Sequence, residues 1–568
     1  MKFSTLFSKK TDTLAVNLKK CNGEGDAAQA QMIEQLTQNG LLQLQTGETE
    51  SAILSFAQAV RLMPQRAAIH NNLGVALGVA DDYEAALRCF NRALEYTPDN
   101  DRYHLNAANA AIQLRRLDEA LAHLDRLSDT EKTSPESYFL KGRFSEIQGA
   151  WGEAERHYRQ ATLLAKDNYE AHLALANVLL FQGRNVEADD YYRQAEIIDP
   201  SQWRHRQNTA AHCWKQGKIE EARTLFEALP YDTSASLRAN RALTLLACGD
   251  YEQGWAAFEA RLEQEGPLKA FLEHNLLIGD RWQGESLEGQ SVLLWGEQGL
   301  GDQIQFVRYL PQVAARKPAE IILYCSHPLF SLFEPLKDTG IPLHMAPINE
   351  PPPPFDVYCP LLSLPAIFGT RLDNLPAEIP YLFAESEKTE IWRTRLEHLN
   401  GLKVGLVWSG NLHRHDKMTE WNFATRSMTL ADFEPLWEVQ GVNFISLQKG
   451  EAVEQARTWH LPLTDLTEDL HDFSDTAALV MNLDLVISVD TSVVHLTGAL
   501  GKPIWVLHRL GGCWRWLLDR SDSPWYPTAQ IFRQEIKGEW GKVIEEIQSE
   551  LRAYRITCSL PDGCSVTS

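Results

Sequence analysis

The feature that most constrains the fold of this chain is a set of small and aromatic residues that recur every 34 positions. A fixed period of this length predicts an array of stacked, similar structural units and not a single globular core. The plainest matches are Gly40 with Gly74, Gly47 with Asp81, Ala52 with Ala86, Phe56 with Phe90, Ala59 with Ala93 and Pro64 with Pro98. A second register keeps the same spacing in Ala154 with Ala188, Tyr158 with Tyr192 and Ala161 with Ala195.

The residue types predict that each unit is a pair of antiparallel helices. Small residues such as Gly74 suit the point where two helices touch, and rings such as Phe90 fill the space between successive pairs. Prolines such as Pro98 end the second helix, because proline cannot continue it. The pattern resembles the tetratricopeptide repeat, which implies an α-solenoid of about seven units.

A stack of helix pairs curves into a groove, and such grooves bind segments of other proteins. We therefore expect the array to hold a protein partner. The alternative is that the array makes a homo-oligomer of the chain or supports its second half.

Charge and cysteine usage restrict the class of protein. The net charge is −22 and the isoelectric point about 5.3, which disfavours nucleic acid as the main partner, since phosphate contacts need clustered Lys and Arg. The nine cysteines form no Cys-x-x-Cys pair and indicate a reducing compartment. No convincing signal peptide is present, and no apolar run approaches the roughly 18 residues of a membrane span. We expect a cytoplasmic protein without a membrane span.

The second half of the chain alternates predicted strands with predicted helices. The apolar run 291–295 precedes a glycine turn, 299–302, and an amphipathic stretch; the runs 403–408 and 483–489 are strands of a second such unit. This alternation predicts parallel sheets with covered faces, here two Rossmann-like domains facing across a cleft. The glycine turn has neither the P-loop nor the Gly-x-Gly-x-x-Gly spacing, so a kinase or dehydrogenase is disfavoured.

These patterns predict a domain order along the chain. The expected ranges are an N-terminal segment 1–32, the repeat array 33–265, a linker 266–290, a first Rossmann-like domain 291–390 on the acceptor side, a second one 391–553 on the nucleotide-sugar side, and a tail 554–568.

Residues 489–496, Val-Asp-Thr-Ser-Val-Val-His-Leu, are followed at 499–503 by Ala-Leu-Gly-Lys-Pro. Together they resemble the nucleotide-sugar motif of bacterial heptosyltransferases of glycosyltransferase family 9, and the turn at Gly301-Asp302 resembles theirs too. The resemblance covers about residues 291–550. It implies the GT-B fold and a metal-independent, inverting glycosyltransferase that needs no cofactor besides its nucleotide-sugar donor. Ser492-Val493 stand where that family has Gly-Leu, so heptose is not carried over as the donor sugar. The whole layout is similar to that of protein O-GlcNAc transferase.

The residues themselves predict a phosphate site after the strand 483–489. The turn at Asp490, Thr491 and Ser492 places hydroxyls and free backbone N–H groups at a helix N-terminus, a geometry that binds diphosphate. His495 follows on the first helical turn, within reach of a phosphate or a ribose. The alternative is that Asp490 and Thr491 only cap the helix.

The resemblance also implies a general base, because the acceptor hydroxyl must lose its proton as it attacks the anomeric carbon. Asp302 is our candidate, with Glu297 in reserve; the alternative for Asp302 is a cap of the helix that follows Gly301. Lys449, which follows Gln448 at a strand end, is our candidate for neutralising the charge of the leaving diphosphate. The alternative is that Lys449 is a solvated loop lysine. Ser409 and Asn411 are further candidates for contact with the phosphates; the alternative is that they form an ordinary turn. Arg426 is another candidate near the phosphates.

We expect no metal site. Trp514-Arg515-Trp516 either walls a base or sugar pocket or packs at the domain interface. The predicted function is transfer of a sugar from a nucleotide-sugar donor to a hydroxyl of a protein held by the repeats. The alternatives are a scaffold protein with a catalytically silent transferase-like domain and a transferase acting on lipopolysaccharide or another glycan.

Overall fold

The structure, a computed structural model, describes residues 24–200, 204–229, 234–264, 279–410, 426–458, 461–536 and 538–559. The chain divides into two units, residues 1–208 and 209–568, and the division falls inside one helix. Asn411, and residues 266–278 of the expected linker, lie outside the described residues. No helix of the described ranges is both long and apolar enough to cross a bilayer.

The first unit consists of antiparallel helix pairs, so the predicted solenoid is confirmed. Local signals set the helix ends: the Ser134 side chain accepts a hydrogen bond from Ser137 N, and Pro135 occupies the first helical turn. The helices are α1 Glu24–Thr46, α2 Thr49–Leu62, α3 Ala67–Val79, α4 Tyr83–Tyr96, α5 Asp101–Gln113, α6 Leu117–Asp125, α7 Pro135–Ile147, α8 Trp151–Leu164, α9 Tyr169–Phe181 and α10 Asn185–Ile198.

The 34-residue period corresponds to one repeated contact between a glycine and a ring. A Cβ atom added to Gly74 would lie 2.6 Å from the Phe90 ring, and one added to Gly40 would lie 2.7 Å from Phe56. Both rings are fully buried. Any larger residue would therefore force the two helices of a pair apart, which explains why glycine stands at this position.

The second unit begins with helices of the same kind. They are α11 Arg204–Lys215, in which the division falls, α12 Ile219–Glu227, α13 Ala235–Ala247 and α14 Tyr251–Phe258. Tyr251 and Trp255 belong to the same hydrophobic core as Trp525, whose Nε1 donates a hydrogen bond to the Tyr251 hydroxyl at 2.9 Å. The structure thus joins these last helices to the α/β half, whereas the sequence placed them in the repeat array that ends at 265.

The first sheet has five strands in the order β1–β5–β2–β3–β4, and all neighbours are parallel. It includes residues that the sequence assigned to a linker: β1 pairs with β5, and the adjoining Trp282 is fully buried. Residues 280–290 are therefore part of this sheet's fold. The strands are β1 Asp280–Arg281, β2 Ser291–Trp295, β3 Glu320–Cys325, β4 Leu343–Pro347 and β5 Val357–Pro360.

The second sheet has six parallel strands in the order β11–β10–β9–β6–β7–β8. This is the order of doubly wound α/β sheets, in which ligands bind where the strand order reverses, here between β6 and β9. The parallel α/β architecture was predicted. The strands are β6 Leu402–Val407, β7 Val442–Ser446, β8 Leu463–Asp465, β9 Leu485–Val489, β10 Ile504–His508 and β11 Ala529–Arg533.

The other described helices of this half connect the strands, except the 19-residue α23, which follows the last strand. They are α15 Leu300–Phe306, α16 Leu310–Ala314, α17 Phe330–Phe333, α18 Leu364–Ile367, α19 Ser386–Leu396, α20 Glu454–Thr458, α21 Phe473–Met481, α22 Ser492–Ala499 and α23 Gly541–Ser559. The apolar side of α23, including Ile547 and Leu551, packs into the core of the second sheet.

Candidate functional site

A cavity of about 870 Å³ lies at the carboxyl ends of strands from both sheets. Its lining follows β2, β6, β7, β9 and β10, and so includes the point where the second sheet reverses its order. Apart from Glu297, the predicted site residues that the structure describes come together there, Arg426 included. The others are Asp302, Ser409, Gln448, Lys449, Asp490, Thr491, Ser492 and His495.

The N-termini of α15 and α22 meet at this cavity, and Gly301 is their point of contact. A Cβ atom added to Gly301 would lie 2.7 Å from His495 Cδ2 and 3.3 Å from Ser492 Cα. Only glycine lets the two helix ends approach so closely. Because the first N–H groups of a helix lack intrahelical partners and carry a partial positive charge, two converging N-termini favour an anion.

Asp302 takes part in two interactions at this junction. One carboxylate oxygen accepts a hydrogen bond from Gly299 N at 2.9 Å and so caps α15, as the alternative interpretation predicted. The other accepts from the Arg515 guanidinium. The carboxylate therefore lies at the cavity wall but is engaged on both oxygens.

The sequence suggested the segment 514–516 as a pocket wall but gave the charge of Arg515 no role. Its guanidinium is buried, lies 4.4 Å from the centroid of the Trp514 ring, and also donates to Gln305 and to Cys513 Sγ. Burial lowers the pKa of the Arg515 guanidinium, but the nearby Cys513 and Asp302 raise it, and the net shift is upward. Arg515 therefore stays positively charged. The sequence left two roles open for the segment 514–516, a pocket wall and packing at the domain interface. The Trp514 ring lines the cavity and so forms part of its wall.

The charge balance of the cavity contrasts with that of the chain. Among the lining residues that the structure describes, the cations are Lys449, Arg426, Arg509 and Arg515, and the carboxylates are Asp302, Asp472 and Asp490. Burial raises the pKa of Asp490, although Arg426 and Arg515 act in the opposite direction. A cavity with this composition in a chain of net charge −22 is suited to an anionic ligand.

Lys449 is held in place by backbone groups. Its ammonium donates to the carbonyl oxygens of Thr467 at 2.8 Å and Leu470 at 2.9 Å. It is therefore an anchored charge at the cavity wall, not the freely solvated loop lysine of the alternative interpretation.

Gln448 has a structural task that the sequence did not suggest. Its amide oxygen accepts from Trp408 N at 3.0 Å and Ser409 N at 2.8 Å, and its amide nitrogen donates to Ser409 O at 2.9 Å. The side chain thus ties together the ends of β6 and β7, and direct contact with a ligand stays a prediction. The Ser409 hydroxyl donates to Gly410 O at 3.1 Å.

In the turn before α22, the Thr491 side chain does not cap the helix within the described residues. Its hydroxyl lies 3.1 Å from Ser488 Oγ. The capping alternative is therefore not supported for Thr491. His495 is buried, its ring stacks on Trp516, and its Nδ1 lies 2.9 Å from the Tyr526 hydroxyl.

The structure contradicts the reserve role of Glu297 as a base. The Glu297 carboxylate is fully buried, does not line the cavity, and forms a bidentate ion pair with Arg261. Its oxygen also accepts from Leu362 N at 3.3 Å. This pair fixes the segment after α14 to the first sheet.

Two further lining residues were missed because they come from the repeat-like helices. Trp214 in α11 and Leu243 in α13 both line the cavity. No cluster of three or more metal-ligating side chains occurs in the ranges that the structure describes.

Comparison with known proteins identifies the repeats. Residues 80–143 and 148–202 match the tetratricopeptide repeat. Over most of its length the chain is similar to protein FlbA of Caulobacter vibrioides, with 26% identity over 540 residues, which cover 90% of this chain and 82% of FlbA. It is also similar to tetratricopeptide repeat protein 36 of Xenopus tropicalis, with 32% identity over 74 residues, 13% of this chain and 37% of that protein.

Among solved structures, a tetratricopeptide repeat protein of Parabacteroides merdae shares 20% identity and matches 43% of this chain and 97% of its own, with a TM-score of 0.35.

Proposed function

We propose that this protein is a glycosyltransferase of the GT-B fold that moves a sugar from a nucleotide-sugar donor to a hydroxyl of a protein held by the repeats. The observation that carries the proposal is the junction of α15 and α22 at the cavity, with Lys449, Arg426 and Arg515 around it. Two converging helix N-termini and several cations suit a ligand with two neighbouring phosphate groups.

The proposed reaction needs no metal. The acceptor oxygen attacks the anomeric carbon, Asp302 takes its proton, and the bond from that carbon to the phosphate oxygen breaks, with its electron pair leaving on the diphosphate. The helix N-termini and Lys449 stabilise the negative charge that develops on the leaving group. Attack from the face opposite the leaving group inverts the anomeric centre.

The acceptor part of the proposal rests on the repeats, since arrays of this kind bind protein segments. A cytoplasmic location remains part of the proposal, as nucleotide sugars are intracellular metabolites and the nine cysteines are dispersed, with no Cys-x-x-Cys pair.

One observation favours a second candidate function, a scaffold with a silent transferase-like domain. Both oxygens of Asp302 accept hydrogen bonds, one of them from the Arg515 cation, so the candidate base is occupied in the structure. Activity would require an incoming acceptor to compete for this carboxylate.

The test is the Asp302→Asn variant of the full-length protein. Asparagine retains an oxygen for Gly299 N–H but cannot take up the proton, so turnover should fall at least about 100-fold while donor affinity changes little. The readout is transfer of labelled sugar to protein, with calorimetry for donor binding.

A matched control is Asp432→Asn. Asp432 accepts a hydrogen bond from Thr429 N at 2.7 Å in the same type of capping box, but does not line the cavity. It should leave transfer unchanged. Normal turnover of Asp302→Asn would require a different base, and a wild-type protein that binds no donor would favour the scaffold.

A further inference from the structure

We infer that His495 acts as a neutral hydrogen-bond donor, through Nε2, to a phosphate oxygen of the bound donor, and that Tyr526 is the positioning residue that fixes this tautomer. The phosphate part of the inference rests on the proposed function, whereas the tautomer is a property of the free protein.

The direction of the hydrogen bonds behind His495 follows from one carbonyl. The Tyr381 hydroxyl donates to Ile304 O at 3.1 Å, because a carbonyl oxygen only accepts. The Tyr526 hydroxyl lies 3.5 Å from the Tyr381 hydroxyl and 2.9 Å from His495 Nδ1. An O–H···O hydrogen bond is normally about 2.5–3.0 Å long, so the Tyr381 oxygen is too distant to accept the Tyr526 proton. Of these two contacts only Nδ1 is within reach, and we infer that Tyr526 donates to it. An imidazole that accepts at Nδ1 carries its proton on Nε2.

The surroundings keep the His495 ring neutral. The Arg308 guanidinium is buried and lies 4.8 Å from the centroid of the Tyr526 ring and 4.5 Å from that of Tyr381. Burial, with Arg515 and Arg308 as further causes, lowers the pKa of His495 well below its usual value. Protonation would place a second buried cation behind the cavity, where water cannot solvate it.

The Nε2 edge of the ring lies where the two helix N-termini meet. The Cβ position of Gly301 is 3.5 Å from His495 Nε2, and both residues line the cavity. A neutral N–H group at this point adds a hydrogen bond to a bound anion without adding charge to a cavity that already contains four cations among its described lining residues.

In this tautomer His495 cannot accept the proton of the acceptor hydroxyl. In the inferred tautomer the Nδ1 lone pair accepts from Tyr526 and Nε2 already carries a proton. His495 then has no vacant lone pair for the proton of an acceptor hydroxyl. It holds the phosphate, and Asp302 remains the candidate base.

The tautomer can be observed directly in the full-length protein by long-range ¹H–¹⁵N correlation after histidine labelling. Comparison with His495→Gln or His495→Ala assigns the signal. We expect the proton on Nε2 and an unprotonated Nδ1. A proton on Nδ1 would overturn the inference, whatever the protein does with nucleotide sugars.

Two matched phenylalanine variants test the direction of the hydrogen bonds. Tyr526→Phe removes the donor to Nδ1, and should shift the Nδ1 resonance and populate the second tautomer. Tyr381→Phe should leave the His495 resonances unchanged, because that hydroxyl donates to Ile304 O. A response to Tyr381→Phe, or none to Tyr526→Phe, would contradict the assignment of Tyr526.

Binding of inorganic pyrophosphate tests the role of Nε2. Glutamine places an amide N–H near the position of Nε2–H, so His495→Gln should bind pyrophosphate within a few-fold of the wild type. His495→Ala should weaken binding by about 10- to 100-fold, the usual effect of losing one hydrogen bond to a charged group. Equal losses in both variants would contradict a donor role.

The outcomes separate this inference from the proposed function. The expected tautomer and pyrophosphate results, combined with no binding of any nucleotide sugar, would reject the transferase and support the donor role of His495. The opposite tautomer in an active transferase would reject only the inference.

Discussion

The contact between the N-termini of α15 and α22 predicts a large effect of one added methyl group. In Gly301→Ala the new Cβ atom would lie 2.7 Å from His495 Cδ2, a distance that real Cβ atoms essentially never show, and 3.3 Å from the Ser492 backbone. The His495 ring cannot move aside easily, because it stacks on Trp516 and is hydrogen-bonded to Tyr526. Overpacking of a well-packed site costs about 1–3 kcal/mol, and we expect the upper part of that range.

Urea denaturation followed by tryptophan fluorescence measures this loss, since the midpoint falls in proportion to the lost free energy. The same displacement moves Nε2 of His495, so pyrophosphate affinity should fall as well. The control is Gly152→Ala in α8, where an added Cβ meets nothing within 4 Å and the midpoint should not fall. If Gly301→Ala matched the wild type in both midpoint and affinity, the close approach of the two helices would be refuted.

Three further predictions concern the repeats, a buried ion pair and pH. Phe90→Ala removes a fully buried ring that packs on Gly74, and should destabilise the first unit by about 3–5 kcal/mol in thermal melts followed by circular dichroism. Glu297→Gln breaks the buried pair with Arg261, and should cost about 3–5 kcal/mol in denaturation without changing pyrophosphate affinity, because Glu297 lies outside the cavity lining. Burial lowers the pKa of His508 from 6.5 to about 3, so between these values the unfolded state binds a proton that the native state does not, and stability falls on acidification. That contribution should amount to about 2 kcal/mol from pH 7 to pH 5 and should be absent in His508→Gln, as measured by denaturation across this range.

The periodic parts of the fold were predictable because each contact recurs. The spacing of Gly74 and Phe90 reflects a helix pair in which a glycine of one helix packs on a ring of the other. Because the spacing recurs, it can be recognised without tertiary information. The parallel sheets were predictable for a similar reason, since strands buried on both faces appear as continuous apolar runs.

The boundary between repeats and sheets was not predictable from these local patterns. Tyr251 and Trp255 have the helical spacing of one more repeat, yet they pack with Trp525 from the far end of the chain. One practical consequence is that deletion of the whole predicted array, 33–265, would remove core side chains of the second unit. An N-terminal truncation before Arg204 keeps all of α11 together with the second unit.

The candidate site was predictable where it follows strand ends, as with Asp490 and Lys449. Parallel strands bring their carboxyl ends to one edge, so the residues after each strand converge. The tasks of individual side chains were not predictable, because they depend on partners distant in sequence. Arg515 reaches Asp302 across 213 positions, and no spacing rule connects the two.

The central claim is that the cavity binds a nucleotide sugar through its phosphates. Calorimetric titration of the full-length protein with a panel of nucleotide sugars that differ in base and sugar tests it most directly. We predict saturable binding of at least one compound at one site per chain, displaced by pyrophosphate and weakened by Lys449→Ala, with about 2.7 kcal/mol of added stability at 100 times its dissociation constant. A protein that binds neither pyrophosphate nor any member of the panel would contradict the claim.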